Sequence, residues 1–535
     1  MGAFWRGPRD LAAPAFLIFV FGGALAALVA AIPAGSDEAG PFWTDPYLWH
    51  VVGVTALQAA LSTLVSVGLA VPVARALARR RFPGRGLLLR LFGASLVMPV
   101  IVAIFGIVAV HGHGGWVNAL LTAIGLGPRD YLYGLGGILL GHVFFDLPLA
   151  ARIFAQALED VPGETWRLAD QLSMGPWPIF RLIDLPQLRR VLPGTAALIF
   201  LLSFLSFPIV LTLGGGPRWT TVEVAIYQSL RFDFDIARAV SLALLQVALL
   251  GTSLLLFGSA VRVPPVERVG GAAYPRPDAR ARGTRVIDTL ALAMALLIVL
   301  PPLAAVATAG LTGPLAATFA GRGLWDATLR SLAIALASAL TSLALVAGLL
   351  AGERRLRRYG RVWGAAFVEG LGSGTLLVSP LVLSTGLFLL VRDLNLGTAI
   401  GGEGASVLTA LVNACMALPY LMRSLGPPVR QTAARYERLC LSLGLRGWHR
   451  LWLVEIPLLR PALGLSLAVA AALSLGDLGA MALFGTGETE TLPLRLYRLL
   501  GSYRIAEGGV VALWLLVLTL GLFVAIERGV ARGRK

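Results

Sequence analysis

His142 and Asp146 lie four residues apart in an otherwise apolar stretch, GILLGHVFFDLP. On a helix that spacing puts both side chains on one face. A charge at the centre of a membrane-spanning helix costs about 2.5–3.5 kcal/mol on insertion scales, so such groups either pair for structure or serve a path. Asp477 and Glu369 fall in two further apolar stretches, and Phe144, Phe145, Phe204 and Phe207 offer ring faces to a cation. The chemistry this set supports is attraction of an organic cation along a path, with His142, Asp146, Phe204, Phe207 and Asp477 as its candidate residues. The plainer expectation is that His142 and Asp146 satisfy each other, and that Asp477, between Gly476 and Gly479, bonds a neighbouring helix backbone.

Other chemistries find little support. His111 and His113 are two residues apart with no further ligand at metal spacing, so no metal centre is expected. Cys415 and Cys440 form neither a disulfide framework nor a metal pattern. No nucleophile–base arrangement or carboxylate pair stands out, so no catalytic residue is assigned and no cofactor is expected. A single lysine, Lys535, closes the chain among 45 basic residues, and no glycine-rich loop precedes it. A Walker A loop needs such a lysine to reach the phosphates, so ATP hydrolysis by this chain alone is not expected.

The elements that must position these residues are set by composition. Of 535 residues, 57% are hydrophobic and only 14% charged, and the mean hydropathy is +0.79. A soluble domain carries about 25% charged residues to solvate its surface. A membrane-spanning helix needs about 20 apolar residues, and twelve segments qualify, near 12–32, 51–77, 91–110, 134–158, 191–213, 236–260, 286–309, 328–351, 364–391, 405–425, 461–484 and 507–526. The first is read as a retained helix and not as a cleaved signal. The expected fold class is an all-α integral membrane protein with about twelve spans.

Alternate loops differ in charge. One set, which includes both termini and 78–90, 159–190, 261–285, 352–361 and 426–460, holds 32 Arg and Lys, and the other set holds 8. The positive-inside rule puts the first set, and both termini, in the cytoplasm. The net charge of +16 is therefore expected from topology, with the lipid bilayer as the partner and no nucleic acid. Arg79, Arg80 and Arg81, with Arg354 and Arg355, sit at span ends, where their heads can remain among lipid headgroups. The segment 261–285, rich in Pro, Gly and Arg, reads as a flexible cytoplasmic tether.

That tether separates two matching halves, 1–260 and 286–535. Leu147, Pro148, Arg152, Arg167, Leu172, Trp177, Pro186 and Gly214 match Leu418, Pro419, Arg423, Arg438, Leu443, Trp448, Pro457 and Gly485, each pair 271 apart. Thr221 and Tyr227 then match Thr491 and Tyr497 after one residue of slippage. Two repeats of six spans each imply two pseudo-equivalent halves about a central path. Gly214-Gly215-Gly216 and Gly485-Thr486-Gly487 fall at matching outer ends and read first as turns. The best-matched stretches lie in basic loops: RLADQLSMGPWPIFRLIDLPQLRRVLP and RLCLSLGLRGWHRLWLVEIPLLRPALG. Each has a short helical piece, a break, a second helical piece and a Pro expected to end it.

These two loops, 159–190 and 426–460, resemble the EAA loop of ATP-binding-cassette importer permeases: a Glu-Ala-Ala start, then Leu-Gly, an aromatic, and a Pro-ended segment. Here Arg167 and Arg438 stand at the Glu position, and the Gly is Gly444 in one loop and Ser173 in the other. The resemblance implies that Leu172, Ser173, Trp177, Phe180 and Pro186, with Leu443, Gly444, Trp448, Leu451 and Pro457, form coupling helices that dock on a cytoplasmic ATP-binding subunit, in two copies. DPYLWHVV, RRRFPGR, GILLGHVFFDLP, LTLGGGPRWTTVEVAIYQSL, LSLGDLGAMALFG and TLPLRLYRLLGSYR further resemble the fused permeases of bacterial thiamine importers over nearly the whole chain. That implies import of thiamine and its phosphates across the bacterial inner membrane, with a periplasmic thiamine-binding protein as partner. A ferric-iron or polyamine importer of the same layout, and an ion-coupled secondary transporter using His142, Asp146 and Asp477, are the alternatives; a membrane scaffold without transport is a third.

Overall fold

The computed structural model describes residues 11–31, 44–95, 97–257, 274–394, 403–445, 447–485 and 489–531, and among them the regular structure is helical. The first half contains α1 (Ala12–Ala30), α2 (Pro46–Arg79), α3 (Arg85–Ala94), α4 (Val100–His111), α5 (Trp116–Ala123), α6 (Leu135–Glu159), α7 (Gly163–Gln171), α8 (Pro176–Ile179), α9 (Leu185–Phe204), α10 (Pro208–Leu213), α11 (Val222–Arg231) and α12 (Ile236–Phe257). The second contains α13 (Arg282–Thr312), α14 (Leu315–Ala320), α15 (Arg322–Arg358), α16 (Val362–Ser373), α17 (Pro380–Asp393), α18 (Gly404–Ser442), α19 (Gly447–Arg450), α20 (Ile456–Leu475), α21 (Gly479–Phe484), α22 (Leu492–Gly501) and α23 (Ile505–Ala531).

Among the described residues, ten helical stretches are long and apolar enough to cross a membrane. Two of the twelve expected segments, 191–213 and 364–391, are not among them, and each is interrupted. Helix α9 ends at Phe204 and α10 restarts at Pro208; α16 ends at Ser373 and α17 restarts at Pro380. In both restarts a proline occupies the first turn, where its missing N–H costs nothing and its fixed φ suits the helix. Ser379 caps α17 by accepting the Val382 N–H at 3.1 Å. Asp45 caps α2 in the same way, accepting the Tyr47 N–H at 2.8 Å ahead of Pro46, since a carboxylate at this position satisfies an amide the helix leaves open.

The internal repeat is visible in the helix boundaries. Pro176–Ile179, Leu185–Phe204 and Pro208–Leu213 recur as Gly447–Arg450, Ile456–Leu475 and Gly479–Phe484. Between the first two elements of each set lies a π-helical turn, Phe180–Asp184 and Leu451–Glu455. The halves differ at 160–162, where Pro162 separates α6 from α7. The matching position is Ala433, and α18 runs unbroken through it.

In space the halves exchange their first spans. Helix α1 packs on α17 and α15, and α13 packs on α4 and α2 as well as on α23. Two glycines, one in each half, permit this. A Cβ at Gly106 would lie 2.3 Å from the Pro302 carbonyl oxygen, and one at Gly386 2.6 Å from that of Ala24. Leu17, Val20 and Ala24 of α1 are thereby buried among Leu345, Val346, Leu383 and Leu387.

The described part of 261–285 is not a tether. Its residues Pro277–Arg280 form a 3-10 turn, and Arg276 and Asp278 are buried. Arg276 Nη2 donates to both oxygens of Asp184 at 2.9 Å, and Asp184 also takes Arg75 Nε at 2.8 Å. Asp278 accepts from Arg79 Nε at 2.9 Å and from Arg276 Nε at 3.2 Å. Asp288, at the start of α13, takes Arg79 Nη1 at 2.5 Å and Arg80 Nε at 2.6 Å. So Arg79 and Arg80 do not reach for lipid headgroups: carboxylates within the protein satisfy them at closer range than headgroups would, and several charges share partners, which offsets the cost of burial. Arg354 likewise turns inward, to Glu455 at 3.1 Å and the Val429 carbonyl at 2.8 Å. The result is a strap joining α2, the loop 159–190 and the start of the second half.

Burial alone would push the Asp278 carboxyl up, but the Arg276 and Arg79 guanidiniums outweigh it and hold it below the usual carboxylate value. A lowered folded-state value stabilises above the unfolded one, about 3.9 for Asp, and that stabilisation is lost as pH falls through the folded value. Trp166 lies under the Arg276 guanidinium at 4.3 Å and reports on the strap. Its emission should stay constant from about pH 8 to about pH 5 and change only in acid, with Arg276→Ala removing the step. A transition near neutrality would contradict this account of the strap.

Candidate translocation site

Helix α6 carries His142 and Asp146 on one face, and both are buried. They do not satisfy each other. His142 Nδ1 pairs with Ser62 Oγ of α2 at 2.8 Å, while Asp146 Oδ2 accepts from Ser203 Oγ of α9 at 3.2 Å. Each side chain is drawn to a hydroxyl on a flanking helix because an i,i+4 pair lies side by side along the helix and both neighbours reach the same face. His142 Nε2 is buried with no hydrogen-bond partner. Among the described residues no cationic side chain forms an ion pair with Asp146.

Both residues line a cavity of about 700 Å³ between the halves. Phe145, Phe207 and Tyr420 supply rings, and Arg152 and Gln156 lie further along α6. The lining follows α6 from His142 to Ala157, a rise of about 22 Å, and includes Val191 near the start of α9. None of it comes from 111–134 or 214–221, at the opposite ends of these helices. The cavity thus reaches toward the side that bears the loop 159–190.

Two matching interruptions in the helices face this space. Leu205, Ser206, Phe207 and Pro208, the break between α9 and α10, line it, as does Gly476, in the matching break between α20 and α21. Irregular backbone at membrane depth is tolerated only against protein or a cavity, where its polar groups find partners. Asp477, one residue on, supplies part of that satisfaction. It accepts the N–H of Gly479 at 3.1 Å and of Ala480 at 3.3 Å. The backbone it bonds is thus the first turn of α21, the helix that follows it, and not that of a neighbouring helix, from which the Asn413 side chain reaches it.

Phe204 does not line the cavity. It packs instead with Ala59, Leu201 and Leu250, its ring 5.8 Å from that of Phe200. Phe144 is buried in the core, edge-on to Phe145. Glu369 pairs with Arg357 at 3.3 Å and Arg430 at 3.5 Å, away from the cavity. His111 bonds the Tyr131 hydroxyl and His113 bonds Asp130, and no described group of three His, Cys, Asp or Glu could hold a metal ion. Gly215 and Gly216 adopt positive φ in a turn, whereas Thr486 and Gly487 lie outside the described residues. Two residues went unmarked by sequence. Tyr420 stands at the position matching Leu149, which also lines the cavity, so the repeat itself carried that signal. Glu223 is fully buried, accepting from Gln246 Nε2 at 2.6 Å, and a lone acid in the stretch TTVEVAIY was its only mark.

The two loops with the EAA-like pattern present apolar surface. Leu172, Trp177 and Leu182 in one, and Leu443, Trp452 and Leu453 in the other, are each more than half exposed. Phe180 packs beside Trp177 at 5.7 Å and beneath the Arg75 guanidinium at 4.5 Å. Trp448 lies on α19, with only its backbone described, and Leu451 opens the second π turn. Pro186 and Pro457 do not end the second helical pieces. Each follows a π turn, where Leu185 N–H bonds the Phe180 carbonyl and Ile456 N–H that of Leu451. The widened turn absorbs the proline that an α-helical ladder would reject. Both loops break at a left-handed residue, Gly444 at φ +66° and Ser173 at φ +50°. The acids closing the π turns are matched too: Asp184 is clamped by Arg75, and Glu455 by Arg354 and Arg450.

Sequence comparison decides the family. The chain is 46% identical to the thiamine transport system permease protein ThiP of Escherichia coli K12 over 92% of its own length and 91% of the relative's. It is 42% identical to that of Brucella melitensis over 97% of this chain and 94% of the relative, and 36% identical to that of Haemophilus influenzae over 96% and 94%. The chain belongs to the thiamine transport permease family. No protein-family model matches the permease. Among solved structures, a bacterial ABC transporter for the acidic polysaccharide alginate aligns at 14% identity and a TM-score of 0.41, over 47% of the permease and 94% of that chain.

The left-handed conformation costs a side-chain-bearing residue about 1–2 kcal/mol that glycine does not incur. Ser173→Gly should therefore raise the thermal midpoint of the detergent-solubilised permease slightly, and Gly444→Val should lower it. Equal midpoints in both variants would show that the loops do not hold this geometry.

Proposed function

We propose that the chain is the translocating subunit of a thiamine importer and carries thiamine and its phosphate esters into the cytoplasm. The observation that carries this reading is identity of 36–46% to thiamine permeases along nearly the whole chain. A cavity between the halves, lined by Asp146, Phe145, Phe207 and Tyr420 among others, supports it, because thiamine presents a cationic ring and an aromatic body. His142, Asp146 and Phe207 belong to the path; Asp477 serves it indirectly, by holding the break beside Gly476; Phe204 is left out.

In this reading the permease lies in the bacterial inner membrane with both termini in the cytoplasm. A separate ATP-binding subunit, in two copies, docks on the two loops at Leu172, Trp177, Leu443 and Trp448, where Leu172, Trp177 and Leu443 are exposed. A periplasmic thiamine-binding protein delivers substrate to the opposite face. ATP-driven closure of the motor brings the two ridges together, and α9 and α20, continuous with them through the π turns, carry the movement to the breaks at 205–207 and 476–478. That motion requires the nucleotide-bound motor to bind one conformation better than the other.

Uptake of labelled thiamine should require both this chain and the ATP-binding partner. Labelled ferric iron should not accumulate. Thiamine uptake sustained by a proton or sodium gradient in vesicles lacking the ATPase would replace this reading with an ion-coupled transporter.

A further inference from the structure

The halves repeat in backbone but not in charge, and the difference falls at the cavity. His142 and Asp146 match Asn413 and Ala417 at the offset of the repeat. In the second half Asn413 Nδ2 donates to Ser474 Oγ at 3.0 Å, so an amide meets the hydroxyl that answers Ser203. Neither Asn413 nor Ala417 lines the cavity. The second half has its own carboxylate at the break, Asp477, but two backbone amides and the Asn413 side chain meet it and it does not line the cavity. The first half buries a carboxylate in the cavity wall that one hydroxyl contacts and no described cationic side chain neutralises. It also buries an imidazole whose Nε2 has no partner. An unpaired charge in apolar surroundings is costly and is met by a counter-charge or a proton.

Resting on the transport reading above, we infer that the permease holds one substrate site, in the first half, which selects a heteroaromatic ring bearing one fixed positive charge, as the ring of thiamine and of its phosphate esters does. Asp146 is the counter-ion for the fixed positive charge. His142 Nε2 is the hydrogen-bonding group beside it. Phe145 and Phe207 from the first half, with Tyr420 from the second, flank the ring. Because Tyr420 is the ring contributed across the interface, the site is complete only while the halves are closed around it. The permease thus adds its own charge selection to that of any delivering protein, and the second half contributes a wall but no second site.

Equilibrium binding to the full chain in lipid nanodiscs tests this, using labelled thiamine and its uncharged fluorescent oxidation product thiochrome. The wild type should bind one thiamine per chain and prefer it to thiochrome. Asp146→Asn should weaken thiamine by about tenfold or more and thiochrome by less than about twofold, erasing the preference. The amide against Ser474 in the second half indicates that this variant folds. His142→Asn, which copies the second half, and Tyr420→Leu, from the opposite wall, should each weaken thiamine while leaving the stoichiometry at one. Wild-type binding that is absent, that reaches two per chain or that ignores charge overturns the site. So does Asp146→Asn binding equal to wild type, which would mean that a proton alone meets the carboxylate. If cells carrying Asp146→Asn take up thiamine at the wild-type rate, the site falls and the transport reading stands. If wild-type cells show no uptake dependent on this chain, the transport reading itself falls.

Discussion

A helix that stops inside a membrane must find partners for the backbone groups it leaves open, and this permease stops two of them at matching depths. The breaks after Phe204 and Leu475 occupy equivalent places in the repeat, and both reach the cavity. Each is tolerated only because a protein wall or a polar side chain covers the exposed amides. Asp477 covers one by capping α21. Ser206 stands at the matching position of the other and faces the cavity. Once the breaks are fixed, the cavity's position follows, and so does the choice of side chains around it.

The remainder of the architecture holds those breaks in register. The exchange of first spans means that neither half closes its core without the other, and Gly106 and Gly386 set how closely the exchanged helices approach. Toward the loops, α9 and α20 extend without interruption into the π turns and the short helices α8 and α19. In the proposed reading, a movement imposed on the ridges passes along these helices to the breaks. The two ridges are not held alike. The segment after Tyr274 buries Arg276 against Asp184 and Trp166 in the first, whereas Glu455 in the second is held by Arg354 and Arg450 alone among the described pairs.

Much of this was legible in the amino-acid order. Ten of the twelve apolar segments, the fixed offset and the two basic loops followed from hydropathy, spacing and charge, which act along the chain. What escaped depended on directions across it. His142 and Asp146 share a face, yet spacing could not tell that Ser62 and Ser203 would claim them. Phe204 and Phe207 are close in sequence, but the break at 205–207 turns one to the core and the other to the cavity. The arginines at the end of α2 looked solvated because their acidic partners, Asp278 and Asp288, are far along the chain, in and just after a segment whose composition suggests a tether. Pro186 and Pro457 suggested helix ends, and only the widened turn before each shows how the helix continues.

With no nucleotide bound, the space around Ser206 should open toward the side bearing the two ridges and be closed to the other. A cysteine placed at Ser206, with Cys415 and Cys440 replaced by Ala, reads this directly through a membrane-impermeant thiol reagent. Labelling in inside-out vesicles, little labelling in right-side-out ones, and protection when the ATPase partner is trapped with a nucleotide analogue are expected. Labelling confined to right-side-out vesicles without nucleotide would contradict the account.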